Sequence, residues 1–234
     1  MAVNIDTVYQ RVLALANKEQ RGYITPQEFN LFANHAQMEI FEQYFYDLNQ
    51  FLKAPGNNTS HSDVDDMLYE KLQFLERVDD TSTIGAYASN PLGLKILPNY
   101  VYRVNKVSFN NADCEILNTK DFNNLKNGGP LIKPTAQRPV VNISNSQAIS
   151  CLGFPVPTEI IYFKIPIKAQ WAYVIVNEKP LWNPALSVNF ELHPSEEVEL
   201  VYKILKLAGV NIKSPEVVQV AQALETNQVQ QEKQ

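Results

Sequence analysis

Little in this chain is chemically reactive. Its 234 residues include only 2 cysteines, 3 histidines, 3 methionines and 2 tryptophans. Two cysteines, Cys114 and Cys151, make no disulfide framework, and a chain of this length does not need one to fold. His35, His61 and His193 are scattered, with no i,i+4 pair and no cysteine pattern of zinc-ligand spacing. Asp63, Asp65 and Asp66 lack the loop glycine and closing glutamate of a calcium-binding hand. They fit better as the acidic first turn of a helix, where the dipole favours them. Gly128-Gly129 is followed by neither the lysine nor the serine or threonine of a phosphate loop. Cys151 sits before Leu152-Gly153 without an oriented base, so it reads as a small buried hydrophobe rather than a nucleophile. These patterns assign no catalytic, cofactor-binding or metal-ligating residue, and the expectation is a structural protein rather than an enzyme.

Other shortages bound the setting. Charged residues make up only 19% of the chain against 45% hydrophobic, and asparagine and glutamine are abundant. The segment Met1-Ala2-Val3-Asn4-Ile5-Asp6 has no basic stretch leading into an apolar run, and no apolar run approaches membrane-spanning length. Synthesis and assembly in the cytoplasm, without a membrane, are therefore expected. The net charge of −5 is uneven: residues 1–80 carry −7, residues 81–192 carry +4 and residues 193–234 carry −2. An acidic part joined to a mildly basic part favours head-to-tail or stacked association. Nothing resembles the aromatic-studded basic patch of a nucleic-acid binder.

What the chain does have is helix and aromatic surface. A first helix is expected over about Ile5 to Asn17, capped by Asn4 or Asp6, with Val8, Val12, Leu15 and Ala16 recurring at helical spacing. Thr25-Pro26-Gln27-Glu28 is a helix start, with Thr25 as N-cap, Pro26 at the first position and Glu28 closing a capping box. The helix from Pro26 to about Leu52 buries a face of Phe29, Phe32, Ala33, Ala36, Ile40, Tyr44, Leu48 and Phe51. Its flank of Phe41, Phe45 and Tyr46 is expected between subunits. A break at Ala54–Asn58 precedes a third helix over roughly Ser62 to Val78.

The pattern then shifts to short segments punctuated by Gly, Pro and Asn. Strands are expected at Tyr100–Val107, Cys114–Leu117, Val140–Ile143, Ala148–Leu152, Glu159–Ile165, Trp171–Val176 and Val188–Leu192. Thr119–Leu125 reads as one or two helical turns, and Asn177–Pro180 as a hairpin or loop connection. A last helix starts at His193-Pro194 and stops at Gly209, with a short helix after Pro215 and a polar tail. The expected class is α+β: an N-terminal helical bundle, a middle antiparallel sheet or small barrel, and a C-terminal helix returning to the bundle. The expected parts are residues 1–80, 81–192, 193–213 and 214–234. Trp171, Tyr173, Trp182 and Phe190 bracket a proline-bearing loop. They form either the core of a small sheet or an exposed surface for binding, for instance to carbohydrate.

Gln10–Asn30, Phe41–Leu48 and Glu191–Glu197 resemble a family of virion structural proteins of tailed bacteriophages, above all short-tailed ones of marine and gut bacteria. The order of helices, sheet and closing helix resembles their head-to-tail adaptor, or connector, proteins. That resemblance implies a homo-oligomeric ring of about twelve copies. The ring would lie under the portal protein and above tail proteins, with a channel through which DNA leaves without specific binding. It implies a place in the virion at the head–tail junction, after assembly in the host bacterial cytoplasm, and carries no catalytic or cofactor residues. Another tail or capsid-associated structural role is the alternative, followed by a surface-binding module built on Trp171 and Trp182.

Overall fold

The computed structural model describes residues 3–18, 24–53, 59–89, 94–110, 112–144, 147–154, 156–211, 223 and 226. They divide into a helical unit, Met1–Phe74 with Pro166–Gln234, and a sheet unit, Leu75–Ile165. The chain opens with α1 (Ile5–Lys18), α2 (Pro26–Lys53) and α3 (Thr59–Gln73). The sheet unit follows with β1 (Glu76–Asp80), α4 (Thr81–Ala86), β2 (Lys95–Ile96), β3 (Val101–Phe109), β4 (Ala112–Asp113) and β5 (Glu115–Ile116). It continues through α5 (Thr119–Asn127), β6 (Val140–Ile143), β7 (Ala148–Leu152) and β8 (Glu159–Lys164). The chain then returns to the helical unit with β9 (Tyr173–Val176), β10 (Lys179–Trp182), a 3-10 turn (Pro194–Glu196) and α6 (Glu197–Asn211).

The helix starts are built from the residues that the sequence marks. Asn4 Oδ1 accepts the backbone N–H groups of Asp6 and Thr7 at 2.8 and 3.3 Å, satisfying donors the first turn of α1 leaves open. At α2, Thr25 Oγ1 accepts from Glu28 N at 3.3 Å while Glu28 Oε2 accepts from Thr25 N at 3.1 Å, a reciprocal capping box. His193 Nδ1 accepts from Ser195 N and starts the 3-10 turn that leads into α6. That helix runs through the expected stop at Gly209 to Asn211. It packs against both α1 and α2, so the C-terminal helix does return to the N-terminal ones. Ile5, Val8 and Val12 of α1, Phe29, Ala33, Ala36 and Ile40 of α2, and Leu200, Ile204 and Ala208 of α6 form its buried faces.

The flank expected between subunits is mostly core. Phe41 and Phe45 are buried and meet edge to face with ring centroids 5.1 Å apart, whereas Tyr46 is 67% exposed. At 100° per residue, the buried positions of α2 from Phe29 to Phe45 cover about 180° of its circumference, and Tyr46 lies 100° beyond Phe45. These residues were never one flank. α3 also departs from expectation, beginning at Thr59 and ending at Gln73, so its first turn holds no acid and residues Glu76–Asp80 pair as a strand.

Residues 166–192 belong to the helical unit rather than to the sheet, and three amides on one face of α2 hold them there. Asn30 brackets the backbone of Trp171, accepting its N–H at 2.7 Å and donating to its carbonyl at 3.1 Å. Asn34 Nδ2 donates to the Ala169 carbonyl at 2.9 Å. Gln37, 1% exposed, donates to the Ile167 carbonyl at 2.8 Å and accepts from Glu191 N at 3.2 Å. The helix face thus does for an extended segment what a neighbouring strand would do. The expected strand Val188–Leu192 makes only isolated bridges, Val188 with Gln170 and Phe190 with Val3. Replacing Gln37 with leucine is expected to cost about 2 kcal/mol, because the Ile167 carbonyl and the Glu191 N–H, both part-buried, lose their partner together. A thermal melt by circular dichroism checks this. An unchanged midpoint would mean that the segment is held by Phe190 and Leu192 instead.

In the sheet unit, one four-stranded sheet has the order β1-β8-β3-β4 and a second the order β2-β7-β6-β5. One core joins them: Val101 and Val107 of β3 and Ile160 and Tyr162 of β8 cluster with Val141 of β6 and Ile149 of β7. The expectation of an antiparallel sheet is corrected at one edge. β5 and β6 pair in parallel, because the connection between them carries α5 and brings the chain back in the same direction. The sheet region is therefore mixed. α4 went unforeseen; Asp80 caps it, its Oδ1 accepting from Thr83 N at 2.9 Å. The expected break at 54–58 lies outside the described residues. So do the short helix and tail over 214–234, apart from helical Ala223 and Thr226.

Candidate functional site

The two tryptophans have different fates. Trp171 is buried, with its ring 4.1 Å from Tyr9 and 5.8 Å from Tyr173, and its Nε1–H donates to Asp6 Oδ1 at 2.9 Å. It is a core residue of the helical unit. Trp182 is 40% exposed, and its Nε1–H donates to Ser187 Oγ at 2.9 Å. Between them lies an open recess of about 740 Å³, walled by Tyr9, Gln10 and Leu13 of α1 on one side and Pro180–Trp182 of β10 on the other. The two tryptophans therefore do not form a joint exposed surface there.

The recess is roofed by an unusual element. β9 and β10 make a sheet of two strands only, joined through Asn177 and Glu178, whose φ angles of 51° and 65° define a tight two-residue turn. Val174 pairs with Leu181 on one face, and Ile175 with Pro180 on the other. Both faces are apolar and both meet solvent: Val174, Ile175, Val176, Leu181 and Trp182 are all exposed, Ile175 by 69%. Sequence reasoning marked the turn region and expected a strand over Trp171–Val176, where the apolar run is continuous. Nothing in one strand's own pattern reports that no layer covers it.

No protein-family model and no curated protein matches the chain. Its chemistry has to be read from its own side chains.

Those side chains build structure. Burial pushes the Cys114 thiol up to about 11, with the charge of Asp113 adding to it, and the Cys151 thiol up to about 12, so neither supplies a thiolate at neutral pH. Cys151 faces a small pocket of about 210 Å³ lined by Leu94, Ile149 and Phe154. Tyr87 donates its hydroxyl to Asp79, and burial first, then that carboxylate, raises its pKa well above the usual tyrosine range. Tyr162 is raised in the same direction for the same leading reason. Among the described residues, no group of three or more His, Cys, Asp and Glu side chains could hold a metal ion. No helix among them is long and apolar enough to cross a membrane.

Buried ions tie the helices together. Lys203 of α6, 3% exposed, lies 2.9 Å from Glu39 of α2 and 3.6 Å from Glu199. Lys71 of α3 reaches Glu196 at 2.7 Å. Removing one partner of such a pair would leave the buried charge of Lys203 or Glu196 uncompensated. The net charge of the helical unit is −7 and that of the sheet unit +2.

Proposed function

We propose that this chain is a structural subunit of a tailed-phage particle, a head-to-tail adaptor. Copies of it form a ring of about twelve under the portal, around a channel for DNA. The observation that carries this reading is the hairpin β9–β10. A two-stranded hairpin is marginal by itself, and one with exposed Val174, Ile175 and Leu181 on its two faces wants a neighbouring surface. The α+β order with a returning C-terminal helix agrees with the resemblance. The net charge of −7 on the helical unit suits a wall past which DNA moves without being held.

The test is native mass measurement and imaging of the purified protein, alone and with the phage portal protein. Closed rings, or stacking on the portal, are the expected result. The double substitution Ile175→Asp, Leu181→Asp is expected to leave the melt unchanged and abolish the rings. A chain that stays monomeric and ignores the portal overturns the adaptor role. Labelling of purified particles then decides for another tail or capsid-associated position. A double variant that assembles like the parent removes the hairpin as the support for the reading.

A further inference from the structure

We propose that the loop between α5 and β6 docks on the outer face of α3 of a neighbouring copy of this chain. The proposal rests on the ring reading above and names surfaces that would build the ring. The loop is preorganised: Ile132 N–H donates to the Gly129 carbonyl at 3.0 Å across a turn with Pro130 at its second position. At the tip Leu131 is 100% exposed and Ile132 60%. Exposed Lys126 and Lys133 flank the pair. Single apolar residues scattered over a surface are ordinary. Two adjacent aliphatics held in water by a proline-set turn are a knob with no socket among the described residues.

The matching surface is on α3. Asp66, Met67, Tyr69 and Glu70 all face solvent within little more than one helical turn, Met67 by 53% and Tyr69 by 50%. Asp66 and Glu70 stand at i,i+4, where like charges oppose each other until a cation arrives. Two aliphatics between two lysines therefore meet two carboxylates between a methionine and a tyrosine. Methionine and tyrosine are side chains that protein interfaces favour, and opposite charge sets the register. The opposite net charges of the two units extend the same complementarity, which is why the occupant is a second copy of this chain. Loop onto helix is a heterologous contact: it repeats head to tail and closes where the rotation allows.

Two full-length variants test it, Lys126→Glu in the last turn of α5 with Lys133→Glu in the loop, and Asp66→Lys with Glu70→Lys on α3. In sedimentation at low salt, each variant alone is expected to associate at least about tenfold more weakly than the parent, with unchanged melts. An equal mixture is expected to recover association, since alternating copies then present opposite charges at every contact. A parent chain monomeric at all concentrations overturns the ring reading and this contact with it. Variants that associate like the parent, or a mixture that fails to recover, overturn the contact alone. Binding of the parent to anionic phosphatidylserine vesicles, lost in the loop variant while its self-association is unchanged, would reassign the loop to membrane and also overturn the contact.

Discussion

Replacing Phe45 with aspartate is expected to unfold the helical unit. Phe45 is 8% exposed and packs against Phe41, itself fully buried, so the substitution removes a core aromatic and puts a carboxyl in its place. Loss of a buried phenyl ring costs about 3–5 kcal/mol, and an unpaired carboxyl in that space adds roughly 2 more. That sum rivals the whole stability of a domain, on the order of 5–15 kcal/mol. The far-ultraviolet melt should therefore show no cooperative transition, or one lowered by well over about 10 °C. Tyr46→Ser, one residue along, is the control. Tyr46 projects into solvent, so its melt should stay within about 0.5 kcal/mol of the parent. An F45D chain that melts with the parent would remove Phe45 from the core.

The second large effect falls on a glycine. Gly153 has φ +93°, and a Cβ there would lie 2.7 Å from the Thr135 carbonyl oxygen and 2.9 Å from its carbon. Both atoms are backbone, so nothing can swing aside. Thr135 is also fixed by its own turn, its carbonyl accepting from Arg138 N at 3.0 Å. Gly153→Ala is expected to cost about 3 kcal/mol from backbone strain and displacement together. It should also expose the segment around Thr135 to limited proteolysis. Gly128→Ala is the comparison, since Gly128 has an ordinary φ of −67° and its nearest obstacle is 3.2 Å away. A G153A chain with the parent's melt and protease pattern would show that the loop is free to move.

Local signals in the sequence were legible, and relations between distant segments were not. The caps at Asn4 and Thr25, strands β6 and β7, and the turn at Asn177 all depend on neighbours within a few residues. α4 was missed because it is short and contains Gly85, a residue that argues against helix interiors. β10 was missed because Pro180 reads as a loop residue, although at a hairpin edge its absent N–H costs nothing. Residues 166–192 were placed in the sheet because short apolar segments separated by Pro and Asn look like strands. What holds them is amide side chains of α2, and an asparagine on a helix does not announce which backbone it will bind. The candidate surfaces were the least legible. Trp171 and Trp182 look equivalent in sequence, and only distant partners, Tyr9, Asp6 and Asn30, bury the first and not the second. Leu131 carries no mark of being fully in water.

The two ends of the sheet unit meet. Lys164 N–H donates to the Leu75 carbonyl at 3.1 Å, through the pairing of β1 with β8. The segment from Leu75 to Ile165 therefore leaves and rejoins the helical chain at nearly one point. In design language it is a cassette. A short linker could span the gap with little loop-closure entropy, and a sheet of another size could be grafted there without moving α3 or the segment that follows.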